Sequence, residues 1–209
     1  MRKSIVVSTL AICVSMLASS ASAAIVFSDD FNRNNSNTVG NSWVELGNGN
    51  SDVAIVNSRL QLRDELPGNP DAAATQISIS TADHDSISLD YSWAALTTSE
   101  SDDYLQVAWK LSSATTWTNL VAGNGHGLGG NGSFSSASYS LGNLASNTSI
   151  DIRFWTDVSN SDEGALIDWV SISGDKIPVV AAVPEPASIA LLGLGLLGVA
   201  AMRRRKMPV

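Results

Sequence analysis

The sequence predicts an all-β protein, an antiparallel sandwich or barrel between two apolar termini. Several segments alternate apolar and polar residues with a period of two, which is typical of strands with one buried face. Asn, Gly, Ser and Asp, the usual turn formers, fill the intervals between these segments. No segment has a convincing helical period, so the sequence offers no helices for the crossovers that parallel strands need. Antiparallel pairing is therefore the predicted arrangement.

The first residues have the order of a secretory signal peptide. A basic start, Met1-Arg2-Lys3, precedes an apolar stretch over residues 5–17 and the small-residue triplet Ala21-Ser22-Ala23. This order predicts a signal peptide over residues 1–23, cut by signal peptidase between Ala23 and Ala24. The alternative, a retained membrane helix, requires about 20 apolar residues, and this stretch is shorter.

Residues 24–178 form the predicted sandwich domain. Ile87, Leu89 and Tyr91 alternate with Ser and Asp, which assigns them to one buried face of a strand. Asn57 and Ser58 separate two shorter segments and predict a hairpin turn. The predicted strands cover residues 53–56, 59–63, 76–80, 87–93, 104–113, 138–141, 150–155 and 165–170.

The C-terminal residues divide into a linker, an apolar segment and a basic tail. The linker, residues 179–186, contains Pro184, Glu185 and Pro186. Residues 187–202 carry no charge and predict a transmembrane helix about 24 Å long, which crosses a hydrocarbon core of about 30 Å if the bilayer thins locally. The tail, residues 203–209, begins with four cations that hold it in the cytoplasm and so place the body outside: Arg203, Arg204, Arg205 and Lys206.

Taken together, these three parts resemble the PEP-CTERM sorting signal of Gram-negative bacteria. The Pro184-Glu185-Pro186 motif, the Gly/Leu-rich apolar segment and the basic cluster follow one another in the order of that family. The resemblance implies that exosortase recognises the motif as a substrate and cleaves near it. It also implies final placement on the cell surface or in the extracellular matrix of a bacterium that makes exopolysaccharide. The alternative is a plain C-terminal membrane anchor, and both interpretations place the body outside the cytoplasmic membrane.

The charge of the chain is unevenly distributed. The whole sequence has a net charge of −8, but residues 24–182 hold 19 acidic and six basic residues, a net charge of −13. Such a body lacks the basic surface that nucleic-acid binding requires, so we expect no nucleic-acid partner. Cys13 lies within the predicted signal peptide, so disulfide bonds are excluded from the mature body.

Short strings in the body resemble the concanavalin-like and MAM-like jelly-roll domains of extracellular proteins. They are Phe-Ser-Asp-Asp-Phe-Asn-Arg at residues 27–33, Ser-Asp-Asp-Tyr-Leu-Gln-Val at 101–107 and Ala-Leu-Ile-Asp-Trp-Val-Ser-Ile at 165–172. The resemblance implies a jelly roll whose first strand lies beside its last. One departure is Ser113-Ala114-Thr115, which stands where these domains often place an Asp-Gly-Gly turn.

Motifs for catalysis are missing from the sequence. It contains no Gly-x-Ser-x-Gly, no His-Glu-x-x-His and none of the Glu-x-Asp-x-x-Glu strands common in glycosidases of the concanavalin-like fold. We therefore expect a non-catalytic surface or matrix protein whose body binds exopolysaccharide. The alternative is an extracellular carbohydrate-active hydrolase of concanavalin-like fold, whose two carboxylates would have to converge from distant positions.

Acidic pairs near predicted strand ends suggest a structural calcium ion. Calcium prefers hard oxygen ligands from loops, and jelly-roll domains often tie their first strand to their last through such an ion. The hypothesis assigns Asp30 and Asp168 to the site; the alternative is that the acidic pairs are solvated loop charges. His84 and His126 are expected to be exposed loop residues without a metal.

Six tryptophans divide by their phase in the strands. Trp93 and Trp109 are in register with core positions of their strands, and Trp43 follows a turn; all three are expected to pack inside. Trp155 is out of phase with the core residues of its strand, and Trp117 lies near the glycine-rich run at residues 123–132. These two are the candidates for stacking on sugar rings, with packing between the sheets as the alternative. The run contains a Gly-x-Gly-x-x-Gly match, but no helix follows it, so we expect a loop with no nucleotide role.

Overall fold

The computed structural model describes residues 23–64, 72–130, 132–178 and 193–197. The chain divides into two compact units, residues 1–177 and 178–209. The first unit contains all the described strands. Residues 193–197 of the second unit are α-helical. Within the described ranges, no helix is long and apolar enough to span a bilayer. The predicted signal peptide before Ala23, the Pro-Glu-Pro motif, the basic tail and most of the predicted transmembrane segment lie outside these ranges.

Twelve strands and one short 3-10 helix, Asn143–Ala145, make up the described part of the first unit. The strands are β1 (Ala23–Asp29), β2 (Trp43–Leu46), β3 (Val53–Ile55), β4 (Leu60–Arg63), β5 (Ala73–Ser80), β6 (His84–Ala95), β7 (Tyr104–Leu111), β8 (Thr118–Asn119), β9 (His126–Gly127), β10 (Ser135–Ser140), β11 (Ser149–Asp157) and β12 (Gly164–Lys176).

These strands form two six-stranded sheets. The first sheet has the order β10-β6-β12-β4-β3, with β1 also paired to β12. The second has the order β2-β5-β11-β7-β8, with β9 also paired to β7. Every pairing among the described strands is antiparallel, which confirms the predicted all-β antiparallel sandwich.

The first strand of the sandwich lies beside the last. Ala23 is opposite Asp175 and Ala24 is opposite Gly174, so the predicted signal cleavage site coincides with the start of β1. The pairing continues to Asp29, opposite Val170. This is the arrangement that the resemblance to jelly-roll domains implied.

The core lies between the two sheets and follows the predicted alternation. Leu89 and Tyr91 of β6 and Ile152 and Phe154 of β11 are fully buried, and each contributes on the order of 1.5–3 kcal/mol through burial. Trp43 and Trp109 are 7% exposed, and Trp93 is partly buried against this core, as predicted.

A tight hairpin joins β3 to β4 at the predicted turn. Asn57 and Ser58 have φ values of 50° and 58°, the left-handed conformation that both central residues of a type I′ turn require. The Val56 N–H donates to the Arg59 carbonyl at 2.9 Å, and the Arg59 N–H donates back at 3.2 Å. Because this turn has the twist of the strands on either side, it fixes their register.

The periodic pattern misses β1, which only the resemblance to jelly-roll domains implied, and three short strands. The short strands are β2, β8 and β9, of four, two and two residues. A period of two cannot be recognised over so few residues. Strand β9 also lies inside the glycine-rich run, which is therefore not loop throughout.

Candidate functional site

The outer face of the second sheet carries both candidate stacking residues. Along β11, Ile152 and Phe154 are buried in the core, so the alternating residues Asp151, Arg153 and Trp155 project from the opposite face.

Arg153 stands between two tryptophans on this face. Its guanidinium carbon Cζ lies 4.3 Å from the ring centroid of Trp155 and 4.5 Å from that of Trp117. Trp117 comes from the segment before β8, where Asn119 pairs with Ala108 of β7. Both indoles are partly exposed. Trp117, Arg153 and Trp155, termed here the Trp-Arg-Trp cluster, therefore combine aromatic surface with a cation at contact distance.

Short side chains surround the cluster on neighbouring strands. Arg153 is opposite Ala108 of β7 and Thr75 of β5, and Trp155 is opposite Ala73. At the edge of the same sheet, two apolar side chains of β2 are half exposed: Val44 at 50% and Leu46 at 51%. The two partly exposed indoles thus have short side chains beside them and half-exposed apolar side chains at the edge of their sheet.

The two cations of the face differ in their partners. The Lys110 Nζ lies 2.6 Å from a carboxylate oxygen of Asp151. Burial alone would raise the pKa of Asp151, but hydrogen bonds from Lys110, Ser112 and the Ser78 N–H outweigh it and lower that pKa. Arg153 has no such carboxylate: its Nε is buried and forms no hydrogen bond with any described residue. Burial lowers the pKa of Arg153, but a guanidinium stays charged at any physiological pH.

The glycine-rich segment packs at the border of this face. The Gln106 side-chain amide of β7, next to Trp155 on the outer face, donates to the Gly123 carbonyl at 3.4 Å. Gly125 has φ +125°, and a Cβ there would lie 2.6 Å from the Leu105 carbonyl oxygen. Only glycine fits this close approach of the segment to β7.

Asp30 and Asp168, predicted as calcium ligands, each have a partner in the protein. Asp30 is exposed and accepts a hydrogen bond from the Asn32 N–H at 3.1 Å. Asp168 pairs with the Arg59 guanidinium at 3.0 Å. In the described part of the chain, no three Asp, Glu, His or Cys side chains group closely enough to hold a metal ion. The calcium site stays a prediction, and thermal melting with and without millimolar calcium tests it.

A shallow depression of about 550 Å³ lies where β1 meets β12, lined in part by Asp30, Arg33 and Trp169. The positive charge of Arg33 in this depression is already neutralised. Its guanidinium donates two hydrogen bonds to the Asp29 carboxylate, at 2.8 and 2.9 Å. The Trp43 indole N–H also donates to Asp29, at 2.9 Å. Burial alone would raise the pKa of Asp29, but these hydrogen bonds lower it overall. Asp29, Arg33 and Trp43 therefore form a packed structural unit that connects the end of β1, the first loop and the start of β2.

His126 is not the exposed loop residue that the sequence predicted. Its Nε2 lies 2.6 Å from the Tyr91 hydroxyl, and its ring stacks on Trp93 at 4.4 Å between centroids. The prediction was wrong because β9 pairs with β7, with His126 opposite Leu105, and this places the imidazole against β6. No sequence signal links these distant segments. His84, also predicted to be an exposed loop residue, lies instead at the start of β6 and is partly buried, with its Nδ1 2.7 Å from the Ala82 carbonyl oxygen.

Two buried carboxylates at one end of the sandwich have pKa values displaced in opposite directions. Burial, and then the negative charge of Glu163, raise the pKa of Asp103. Burial would also raise the pKa of Glu163, but four hydrogen bonds from Ser159 and Asn160 lower it overall. Asp103 and Glu163 are only 1% and 2% exposed and fasten their own loops. The sequence search for catalytic motifs had no means of finding this pair.

The C-terminal residues carry a recognisable sorting signal. Residues 182–206 match the PEP-CTERM protein-sorting motif. The match contains Pro184, Glu185 and Pro186, the apolar segment and the basic cluster. The motif indicates export and sorting by exosortase, as the sequence resemblance implied.

Solved structures resemble the body in fold. No curated protein sequence matches the chain. One similar structure comes from work on endo-acting O-glycanases. Prominent members of the human gut microbiota express these enzymes to initiate mucin breakdown. That structure is 11% identical, covers 72% of this chain and 99% of that chain, and has a TM-score of 0.50.

Two further structures are similar. The CBM22-1 xylan-binding domain of Xyn10C from Paenibacillus barcinonensis is 11% identical, covers 76% of this chain and 99% of that chain, and has a TM-score of 0.48. SCLam, a non-specific endo-beta-1,3(4)-glucanase from family GH16, is 10% identical and has a TM-score of 0.49. The match covers 74% of this chain and 92% of the SCLam chain. At such identities the likeness concerns the fold alone, a jelly-roll sandwich, which the sequence resemblance predicted.

Proposed function

We propose that the protein is an exported, exosortase-sorted surface or matrix protein whose sandwich binds polysaccharide without hydrolysing it. The observation that carries the proposal is the Trp-Arg-Trp cluster on the outer face of the second sheet. The C–H faces of sugar rings are apolar and stack on indoles, while hydroxyl groups need polar partners at their edges. Trp117 and Trp155 supply the aromatic surface, and Arg153 supplies hydrogen-bond donors beside them.

The surroundings of the cluster support this assignment. The cross-strand neighbours Ala73, Thr75 and Ala108 have short side chains, and Ala73 and Ala108 are buried, so the partly exposed Arg153 and Trp155 are the side chains that a ligand would meet. The likeness in fold to a chain described with glycan-degrading enzymes is consistent with a carbohydrate ligand, although it assigns no residues.

The buried carboxylates favour binding over hydrolysis. A glycosidase needs an acid and a second carboxylate on either side of a sugar bond in an open cleft. The pKa of Asp103 is raised and that of Glu163 is lowered, but both side chains are buried and enclosed by the loops they fasten, not exposed in a cleft. The alternative, an extracellular hydrolase, predicts release of reducing ends from a bound polysaccharide, and loss of that release in Glu163→Gln. We expect no release.

Binding is tested with the full chain purified in detergent, applied to a glycan array and followed by calorimetry on the glycans retained. We expect binding that falls at least roughly tenfold in Trp155→Ala, because the stacking surface is lost. Trp169→Ala, on the other sheet, serves as the matched control and should bind as the wild type does. Absence of any glycan binding by the wild-type chain would contradict the proposal.

The proposed route to the surface has a signal peptide removed between Ala23 and Ala24, a membrane anchor over residues 187–202, and exosortase cleavage near Pro184-Glu185-Pro186. Mass spectrometry of the mature protein tests both ends. We expect an N-terminus at Ala24 and loss of the basic tail in a host with exosortase. Recovery of an intact tail from such a host would leave a plain membrane anchor instead.

A further inference from the structure

Among the residues that the structure describes, Arg153 pairs with no carboxylate, although the body is rich in acidic groups. Residues 24–182 hold 19 acidic residues against six basic ones. Three other cations have carboxylate partners: Arg33 with Asp29, Arg59 with Asp168, and Lys110 with Asp151. Within the described ranges, no carboxylate pairs with Arg153 and no group accepts a hydrogen bond from its buried Nε.

The two indoles do not replace a carboxylate. They attract the cation through their ring faces, but they do not offer the directional oxygen lone pairs that a guanidinium fork matches. A buried donor without an acceptor costs free energy in the unliganded protein. Trp117 and Trp155 therefore hold the guanidinium in place. Its Nε is buried, but the Arg153 side chain as a whole is partly exposed, so its terminal N–H groups are the donors that an external acceptor would meet.

A uronic acid provides that acceptor in the right place. Its planar carboxylate is attached directly to the sugar ring, so a ring stacked on an indole brings the carboxylate to a cation beside that indole. Carboxylate and guanidinium then form two parallel charge-assisted hydrogen bonds. A neutral hexose has a hydroxymethyl group at the same position and offers one weaker acceptor.

We infer that the polysaccharide bound at this face is acidic, and that Arg153 receives the carboxylate of a uronic-acid residue stacked against Trp117 or Trp155. This inference rests on the proposed function and names its ligand class. Strand β11 carries two carboxylates: Asp151 is already paired with Lys110, and Asp157 is exposed at the end of the strand, two residues beyond Trp155.

Matched pairs of oligosaccharides test the charge alone. The full chain in detergent is titrated with oligogalacturonate and its methyl ester, with oligomannuronate and oligomannose, and with glucuronoxylan and xylan oligomers. In each pair that binds, the acidic member should bind roughly 10- to 100-fold more tightly at low salt. This preference should shrink as sodium chloride is added.

The outcomes separate the inference from the proposed function. Equal binding within the pairs, preference for the neutral member, or tighter binding of a sulfated polysaccharide such as dextran sulfate overturns the uronic-acid inference and leaves polysaccharide binding intact. No binding of any oligosaccharide or polysaccharide, charged or neutral, overturns both.

Variants locate the effect at Arg153. Arg153→Gln should lose the preference for the acidic member while still binding neutral oligomers, and Trp155→Ala should weaken both. Arg59→Gln removes another arginine that lies over an aromatic ring, 4.9 Å from Phe134, and should leave the preference unchanged. Arg153→Lys keeps the positive charge but not the planar guanidinium, and it should show an intermediate preference for the acidic member. This variant replaces Arg153→Gln in the test if Arg153→Gln unfolds at a much lower temperature than the wild type. Retention of the full preference in folded Arg153→Gln overturns the inference.

Discussion

The imidazole Nε2 of His126 lies 2.6 Å from the hydroxyl oxygen of Tyr91, and this hydrogen bond joins the glycine-rich segment to an inner strand of the first sheet. Burial lowers the pKa of His126. Burial, with a smaller effect of Tyr139, raises the pKa of Tyr91, so that hydroxyl keeps its proton. The pair therefore has one group that can change charge near neutral pH.

We expect the protein to lose stability as the pH falls below about 6.5, the usual pKa of an unfolded histidine. In this range the unfolded chain takes up a proton at His126 more readily than the folded chain, which favours unfolding. Chemical denaturation between about pH 7.5 and 5 measures the effect. His126→Gln should flatten the dependence, whereas an unchanged slope in this variant would contradict the assignment.

The stability of the protein should be more sensitive to substitution of Asp29, the last residue of β1, than to substitution of its neighbour Asp30. Asp29→Asn leaves the Arg33 guanidinium without its carboxylate and should cost roughly 2–4 kcal/mol of unfolding free energy. Because the folded pKa of Asp29 is lowered, its contribution is present above the unfolded pKa of about 3.9 and is lost as the pH falls below it. Urea denaturation at neutral and acidic pH measures both effects. Asp30→Asn, at the exposed neighbour, should change stability by less than about 0.5 kcal/mol.

The glycine-rich segment should tolerate alanine at one position and not at another. Gly125→Ala places a Cβ against the Leu105 carbonyl at a positive φ and should cost roughly 1–3 kcal/mol. Gly127→Ala, whose Cβ would meet no atom within 4 Å, should be nearly neutral. Thermal melting compares the two. Equal melting temperatures would show that the segment does not pack against β7 as described.

Glu163 should control the titration of Asp103. Glu163→Gln removes a negative charge and should lower the pKa of Asp103, measured by following its side-chain carboxyl resonance with pH. The same variant weakens the hydrogen bonds to Ser159 and Asn160 and should cost about 1–3 kcal/mol. Asp162→Asn, at the exposed neighbour, is the control for stability. An unmoved pKa of Asp103 in Glu163→Gln would show that the two carboxylates do not interact.

The periodic pattern predicted the long strands and the direction of their side chains. Phase alone assigned Trp155 to the face opposite Ile152 and Phe154, because successive residues of a strand point to opposite sides of a sheet. It also assigned Tyr91 to the core. These predictions concern residues within one strand, where the geometry is local.

Contacts between distant segments could not be predicted in the same way. The approach of Trp117 to Arg153 depends on the pairing of β8 with β7, and β8 has only two residues. The position of His126 depends on a strand that is equally short. The Arg59 ion pair of Asp168 joins residues 109 positions apart, and nothing in the local sequence at either end selects the partner.

The pairing of β1 with β12 constrains how the body acquires its structure. When a chain is exported N-terminus first, β1 reaches the outside well before β12, yet among the described strands β1 pairs with β12 alone. The same late strand also separates β6 from β4, so the first sheet has no continuous centre until Gly164–Lys176 has emerged. This sheet therefore cannot fold strand by strand as the chain emerges. It forms only when residues far apart in the sequence come into contact. A body that follows the export route proposed above completes its sandwich only after almost all of it has emerged.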